Sequence, residues 1–205
     1  MTLTDCETWL DWGKRAKKLY QPLKGYEEKT ASSRVKGFEK ILDTILTHCG
    51  DVEGTRFLDI GANVGYFCFQ LTDRGSITTA VERDIKRSNL SRCVAIKEEY
   101  DKDNPCFVNM DAPTYVLTEK PDVDYVILLN TFHHILLQDE TRAWEMFNWL
   151  INNTNGVFIM MRNQLKSWRL CDTRVEIPEA VLEQSDATEY KEYPAVHGRV
   201  IYFFS

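Results

Sequence analysis

Hydrophobic positions follow two rhythms along this chain. Between Ser33 and Gly50 they recur at helical spacing, with Val35, Phe38, Ile41, Leu42, Ile45 and Leu46 on one face and Gly50 as a stop. An N-terminal helix and a polar stretch, QPLKGYEEKTASS, precede this helix. Beyond Asp51, short continuous apolar runs alternate with longer segments. TRFLDI, SITTAVER, CFVNMD, VDYVILLN and GVFIMMR read as strands. YFCFQLTDRG, ending at Gly75, DIKRSNLSRCVAIKEEYDK and QDETRAWEMFNWLINNT read as helices, and APTYVLTE as a loop or short helix. Continuous apolar runs suit parallel strands covered on both faces, so the alternation predicts a doubly wound α/β domain. The tail breaks the pattern. IPEAVLEQ is a short helix, and ATEYKEYPA and RVIYFFS flank VHG, which reads as a tight turn. A terminal hairpin with at least one antiparallel strand follows. Residues 1–50 are expected to form a helical cap on an α/β core spanning 51–205, in one compact domain.

Composition narrows the function classes. The chain has 205 residues and a net charge of -6, which disfavours duplex DNA, since that partner needs a basic surface. A local basic patch leaves RNA open. No apolar run has the length of a spanning helix, and MTLTDCETWLDW lacks the basic and apolar regions of a signal peptide. The cysteines (Cys6, Cys49, Cys68, Cys93, Cys106, Cys171) include no C-x-x-C pair. Thiols in a reducing cytosol are expected, with no metal site.

The chemistry concentrates after the strands. DIGANVG lies between a strand and a helix, where open parallel sheets bind ligands. Gly61 and Gly65 allow tight turning, but Asn63 stands where a dinucleotide turn has its second glycine, and no lysine marks a P-loop. Asp59, just before the turn, would repel a pyrophosphate and attract a cation, directly or through water. S-adenosylmethionine, with its sulfonium and ammonium, is such a ligand. Glu82 ends the next strand, where a carboxylate can accept from ribose hydroxyls. Asp111 ends the third, where it can accept from an adenine amino group or cap the following residues.

FLDIGANVGYF, AVERD and VNMDA together resemble the successive cofactor motifs of class I S-adenosylmethionine-dependent methyltransferases, in order from about Thr55 onward. The resemblance implies a Rossmann-like, seven-stranded, mostly parallel sheet with an antiparallel C-terminal hairpin. It implies S-adenosylmethionine as cofactor, held by Asp59, Gly61, Ala62, Asn63, Gly65, Glu82, Arg83, Asp111, Ala112 and Asn130. NTFHHIL and GRVIYFF narrow it towards the methyltransferase part of O-antigen chain-terminating proteins and related sugar or phosphate methylases. Those carry a Tyr-Gln pair and an arginine near the cofactor, which Tyr20, Gln21 and Arg34 match here.

Asn130, Thr131, His133 and His134 cluster at the end of the fourth strand. A histidine there can serve as a general base for a hydroxyl, or hold an anion as imidazolium. Adjacent helical positions diverge, so one of the pair is expected to face the cofactor. The tetrapeptide LNTF lacks the prolines of the N-P-P-Y motif common among nitrogen-directed relatives, so oxygen is the expected target. Two basic segments, Lys14 to Lys24 and Arg162 to Arg174, would suit an anionic acceptor if they converge. The expected activity is O-methylation of a small or terminal hydroxyl or phosphate acceptor. The alternatives are an RNA-end or tRNA methyltransferase, or a non-catalytic cofactor-binding or partner module.

Overall fold

A computed structural model describes residues 3–15, 19–101, 103–160, 177–195 and 199–205. Helices α1 (Leu3–Arg15) and α2 (Ser32–Cys49) precede an alternation of β1 (Arg56–Ile60), α3 (Tyr66–Thr72), β2 (Ile77–Val81), α4 (Ile85–Lys97), β3 (Cys106–Val108) and α5 (Ala112–Glu119). Then come β4 (Tyr125–Leu129), α6 (Phe132–Gln138), α7 (Glu140–Asn153), β5 (Gly156–Met160), α8 (Ile177–Gln184), β6 (Tyr190–Pro194) and β7 (Val200–Phe204). The strands form one seven-stranded sheet in the order β3-β2-β1-β4-β5-β7-β6. β1 to β5 are parallel, and β7 is antiparallel to both β5 and β6. This is the expected Rossmann-like architecture with its terminal hairpin.

Alternation of side chains across the pleat assigns each strand residue to a face. Phe57, Ile127, Phe158 and Phe203 pack with Phe38, Ile41, Leu42 and Ile45 of α2 and with Phe67 of α3. Leu58, Ile60, Val126, Leu128 and Ile159 face the other way, against Phe132 of α6 and Met146, Phe147 and Leu150 of α7. α2 therefore covers one face of the sheet with its apolar stripe. It ends where expected: Gly50 adopts φ 73 and its N–H bonds to the Leu46 carbonyl at 2.9 Å. α1 lies on α4, close enough that a Cβ on Gly13 would sit 3.0 Å from Leu90.

The differences from expectation have local causes. The third strand stops at Val108 because the Asn109 side chain turns back to donate to the Glu82 and Arg83 carbonyls, at 2.9 and 3.0 Å. The helix expected from Gln138 starts at Glu140. Asp139 breaks the chain at φ -155 and caps α7 by accepting from the Arg142 N–H at 3.1 Å, so residues 132–138 form a separate short helix. APTYVLTE is helical, with Asp111 as its cap. The helix expected to run to Gly75 ends at Thr72, and a turn follows. The end of GVFIMMR, the VHG turn and the basic segment 162–174 lie outside the described residues.

Candidate functional site

The strand order reverses between β1 and β4: β2 and β3 build outward on one side of β1, β4 and β5 on the other. The crevice past the carboxyl ends of β1 and β4 is the ligand position of such sheets. A cavity of about 560 Å³ opens there.

The β1–α3 turn forms its floor. Gly61 has φ 73, and a Cβ there would lie 2.2 Å from Thr131 Oγ1, so both conformation and space require glycine. Its N–H is anchored to the Val81 carbonyl at 2.8 Å. Asn63 takes φ 56, a left-handed conformation that asparagine tolerates better than most residues. Gly65 opens α3 at φ 76, against Phe107.

Glu82 is the best-held group on the wall. Its residue is 8% exposed. Oε2 accepts from the Asn63 N–H at 2.9 Å and Oε1 from the Asp84 N–H at 2.8 Å. Two backbone donors thus fix the carboxylate between the glycine turn and the next loop. Asp111 also lines the cavity; its Oδ2 accepts from the N–H and hydroxyl of Thr114, at 3.2 and 3.1 Å. Cap and wall are therefore the same residue.

Asp59 is expected to attract the cofactor's cation directly or through water. It lies behind the wall, 3% exposed, and does not line the cavity. Strand alternation is the reason. Asp59 shares the α3-facing side of β1 with Phe57 and sits beside Cys68, whose Sγ is 4.0 Å from Oδ2. Burial, then the nearby Glu82 charge, pushes its carboxyl up to about 8. Burial and the Asp59 charge likewise push the Cys68 thiol up.

Of the other residues expected at the site, Gly61, Asn63, Arg83, Ala112, Asn130, Tyr20 and Gln21 line the cavity. Ala62, Gly65 and Arg34 do not. Ala62 is buried with its N–H on Val81, and Gly65 serves the turn. Arg34 is exposed and lies over the Tyr20 ring at 5.3 Å, so it backs a wall residue instead of forming wall. Gln21 is 6% exposed, and its Oε1 has no hydrogen-bond donor in the structure.

Both histidines, of which one is expected to face the cofactor, line the cavity. They occupy the first turn of α6, at its open end, and their rings lie 4.0 Å apart. Sequence reasoning missed Gln138, taken as the start of a longer helix, and Arg87, which lies within the helix DIKRSNLSRCVAIKEEYDK with no motif to mark it; both line the cavity. It also missed Arg199, whose Nη1 lies 3.5 Å from Asn130 Oδ1. Only the β5-β7 pairing brings Arg199 there, and no local motif marks it. Lys24, from the first basic segment, is engaged elsewhere, with Asp73 at 2.7 Å and with Tyr100. Among the described residues, no cluster is suited to a metal ion and no helix is long and apolar enough to cross a membrane.

The residues present fit S-adenosylmethionine. The glycine floor admits a close ligand backbone, the fixed Glu82 carboxylate suits a diol, and the orphaned Gln21 Oε1 calls for a donor. No family model and no curated protein matches the chain. Solved structures do. The bifunctional kinase-methyltransferase WbdD superposes with a TM-score of 0.70 at 17% identity, covering 100% of this chain and 46% of WbdD. The chain thus spans less than half of that protein. A SAM-dependent methyltransferase from Aquifex aeolicus gives 0.61 at 17% identity, covering 85% of this chain and 93% of its own. Magnesium protoporphyrin IX methyltransferase (ChlM) from Synechocystis PCC 6803, solved with bound SAM, gives 0.60 at 15% identity, covering 97% and 92%. The chain has the fold of class I S-adenosylmethionine-dependent methyltransferases.

Proposed function

We propose that this chain is an S-adenosylmethionine-dependent methyltransferase that O-methylates a small or terminal hydroxyl or phosphate acceptor of the sugar or phosphate type. The observation that carries the cofactor reading is Glu82, clamped by two backbone N–H groups on the wall of the switch-point cavity. Its carboxylate accepts from the ribose hydroxyls. Asp111 receives the adenine amino group, and Gln21 Oε1 accepts from the ammonium of the methionine end. Asp59 acts through the turn, its charge favouring a cation in front of it. The neighbouring ChlM structure contains SAM, which supports the same cofactor here.

The bound cofactor supplies an electrophilic methyl group on its sulfonium. The protein holds the acceptor oxygen in line, mainly through proximity and orientation. Asn130 and Thr131 close the floor, and His133 or His134 takes the proton when the acceptor is a hydroxyl. Arg199, beside Asn130, adds a cation on the acceptor side and favours an acceptor that carries an anion.

Calorimetry with S-adenosylmethionine, S-adenosylhomocysteine and NAD tests the cofactor. The first two should bind and NAD should not; the reverse result overturns the assignment. Labelled cofactor offered to phosphorylated sugars, neutral sugars and RNA tests the acceptor. Label in the sugar pools supports the reading, and label confined to RNA replaces it with the RNA-directed alternative.

A further inference from the structure

A second cavity, of about 230 Å³, is lined by α2, α3 and the segment that leads into α2. It shares no lining residue with the switch-point cavity: Gln21 lines the first, and Pro22, the next residue, lines the second. Its floor is apolar, from the buried residues Pro22, Leu42, Tyr66 and Phe69. Its mouth is charged. Glu39 and Asp43 stand one helical turn apart on α2, both exposed, with Glu27 on the opposing segment. Like charges at that spacing repel, and among the described residues neither Glu39 nor Asp43 is ion-paired. The lining cations do not answer them. Lys24 is held by Asp73 at 2.7 Å, and Arg74 donates to Gln70 Oε1 at 3.2 Å. With Lys24 neutralised, three carboxylates face the single guanidinium of Arg74, and negative charge is in excess.

Tyr66 is an independent sign. The residue is 7% exposed, yet its hydroxyl has no hydrogen-bond partner among the described residues. Burial, then the Glu39 charge, pushes its phenol up to about 12; Arg74 opposes and Asp43 adds. The hydroxyl thus stays neutral within the field of the groups at the mouth, and a buried hydroxyl of this kind calls for a partner. Among the described residues no group is suited to a metal ion, and a bare ion would leave the apolar floor unused.

We propose that this cavity binds a small alkylamine. Its ammonium lies between the Glu39 and Asp43 carboxylates and donates to the Tyr66 hydroxyl oxygen, and its hydrocarbon stem covers Leu42 and Phe69. The site is separate from the cofactor cavity and does not depend on the cofactor reading.

Isoamylamine is the probe, with isoamyl alcohol as its neutral counterpart, and binding is followed by calorimetry. The amine should bind and the alcohol should not. Tyr66→Phe should weaken the amine roughly two- to tenfold, the range of one hydrogen bond. Glu39→Gln and Asp43→Asn should each weaken it about two- to fivefold, the range of an exposed charge pair, and added salt should weaken it in wild type. Because the Tyr66 hydroxyl bonds nothing in the fold, Tyr66→Phe should leave the thermal midpoint unchanged or higher. Saturating S-adenosylhomocysteine should leave amine binding in place. Absence of amine binding in wild type, equal binding of the alcohol, or full affinity in Tyr66→Phe overturns the site. A lowered midpoint in Tyr66→Phe, or displacement of the amine by S-adenosylhomocysteine, overturns it as well: the first gives the hydroxyl to the fold, and the second puts the amine in the other cavity.

Discussion

Around the ends of β1 to β3, backbone groups clamp the polar wall: the Asn63 and Asp84 N–H groups both hold Glu82. Around the end of β4 the wall groups meet one another as side chains. Arg199 reaches Asn130 at 3.5 Å, and His133 and His134 lie ring to ring at 4.0 Å. A backbone clamp presets one shape and suits a ligand that never changes. Side chains on a short helix and a hairpin can reorganise at small cost, which suits an acceptor surface that must be specific to each protein. The first half is built from residues 59–111, close in sequence. The second draws on residues 130–199, gathered by sheet order.

The strongest test breaks the preset half from behind. Asp59 is pushed up to about 8 by burial and by Glu82, against about 3.9 in an unfolded chain. Between those values the folded protein holds a proton that the unfolded chain has released. The contribution is therefore most favourable below about pH 4 and is lost as pH rises towards 8. At about 1.4 kcal/mol per unit the loss is on the order of several kcal/mol. Asp59→Asn should flatten this slope and be the more stable protein at pH 8, measured by thermal or urea unfolding without ligand. It should also bind S-adenosylmethionine poorly, having lost the charge behind the turn. In wild type, binding that cation near neutral pH should release a proton, visible as binding heats that vary with buffer ionisation. Parallel stability curves for the two proteins from pH 5 to 8 would remove Asp59 from this role.

The same contrast explains what the sequence made legible. Strand and helix order, the terminal hairpin and the acids after three strands were readable because each rests on a local pattern: apolar runs, a glycine turn, a polar residue at a strand end. The face on which Asp59 lies was not read, although its two-residue alternation with Phe57 carried it. The place of Arg34 over the Tyr20 ring was not legible, because helical spacing does not show where its guanidinium lies. That both histidines line one cavity was not legible, because helical divergence separates their directions and says nothing of how wide the cavity in front of them is. Arg199 had no local signal at all.

On the acceptor side the larger effect belongs to the histidines. If one is the general base, replacing it with alanine should lower turnover by roughly a hundredfold or more while leaving cofactor affinity near wild type. A base works only when neutral, so the wild-type rate should rise with pH. A rate that falls with pH, with a climbing acceptor KM in the variant, would instead make the imidazolium an anion holder. Near-normal rates in both single variants would make the pair structural.

Glu82→Ala tests whether the backbone clamp serves a ligand. Losing charge-assisted bonds to ribose hydroxyls should weaken S-adenosylmethionine and S-adenosylhomocysteine equally, by about 1–3 kcal/mol. Glu82→Gln should recover part of that, since one oxygen still accepts. Unchanged affinity in a folded variant would move the ribose contact elsewhere.

The smallest expected effect separates the two halves most cleanly. Arg199 is half-buried on β7's approach to the site, and it donates to the Asn130 amide oxygen, which carries no charge. A guanidinium in that state keeps its charge available to an incoming anion. Arg199→Ala should raise the KM of a phosphorylated acceptor by about three- to tenfold, the scale of one partly solvated charge contact. It should leave S-adenosylmethionine binding unchanged. The wild-type KM should also climb with salt, and the variant's less so, because screening acts only on the contact that remains. A neutral acceptor of the same size should not distinguish the two proteins. If cofactor affinity falls with Arg199 while acceptor KM stays put, the arginine belongs to the preset wall, and the division of the cleft into a clamped half and an adjustable half is wrong at the residue that joins them.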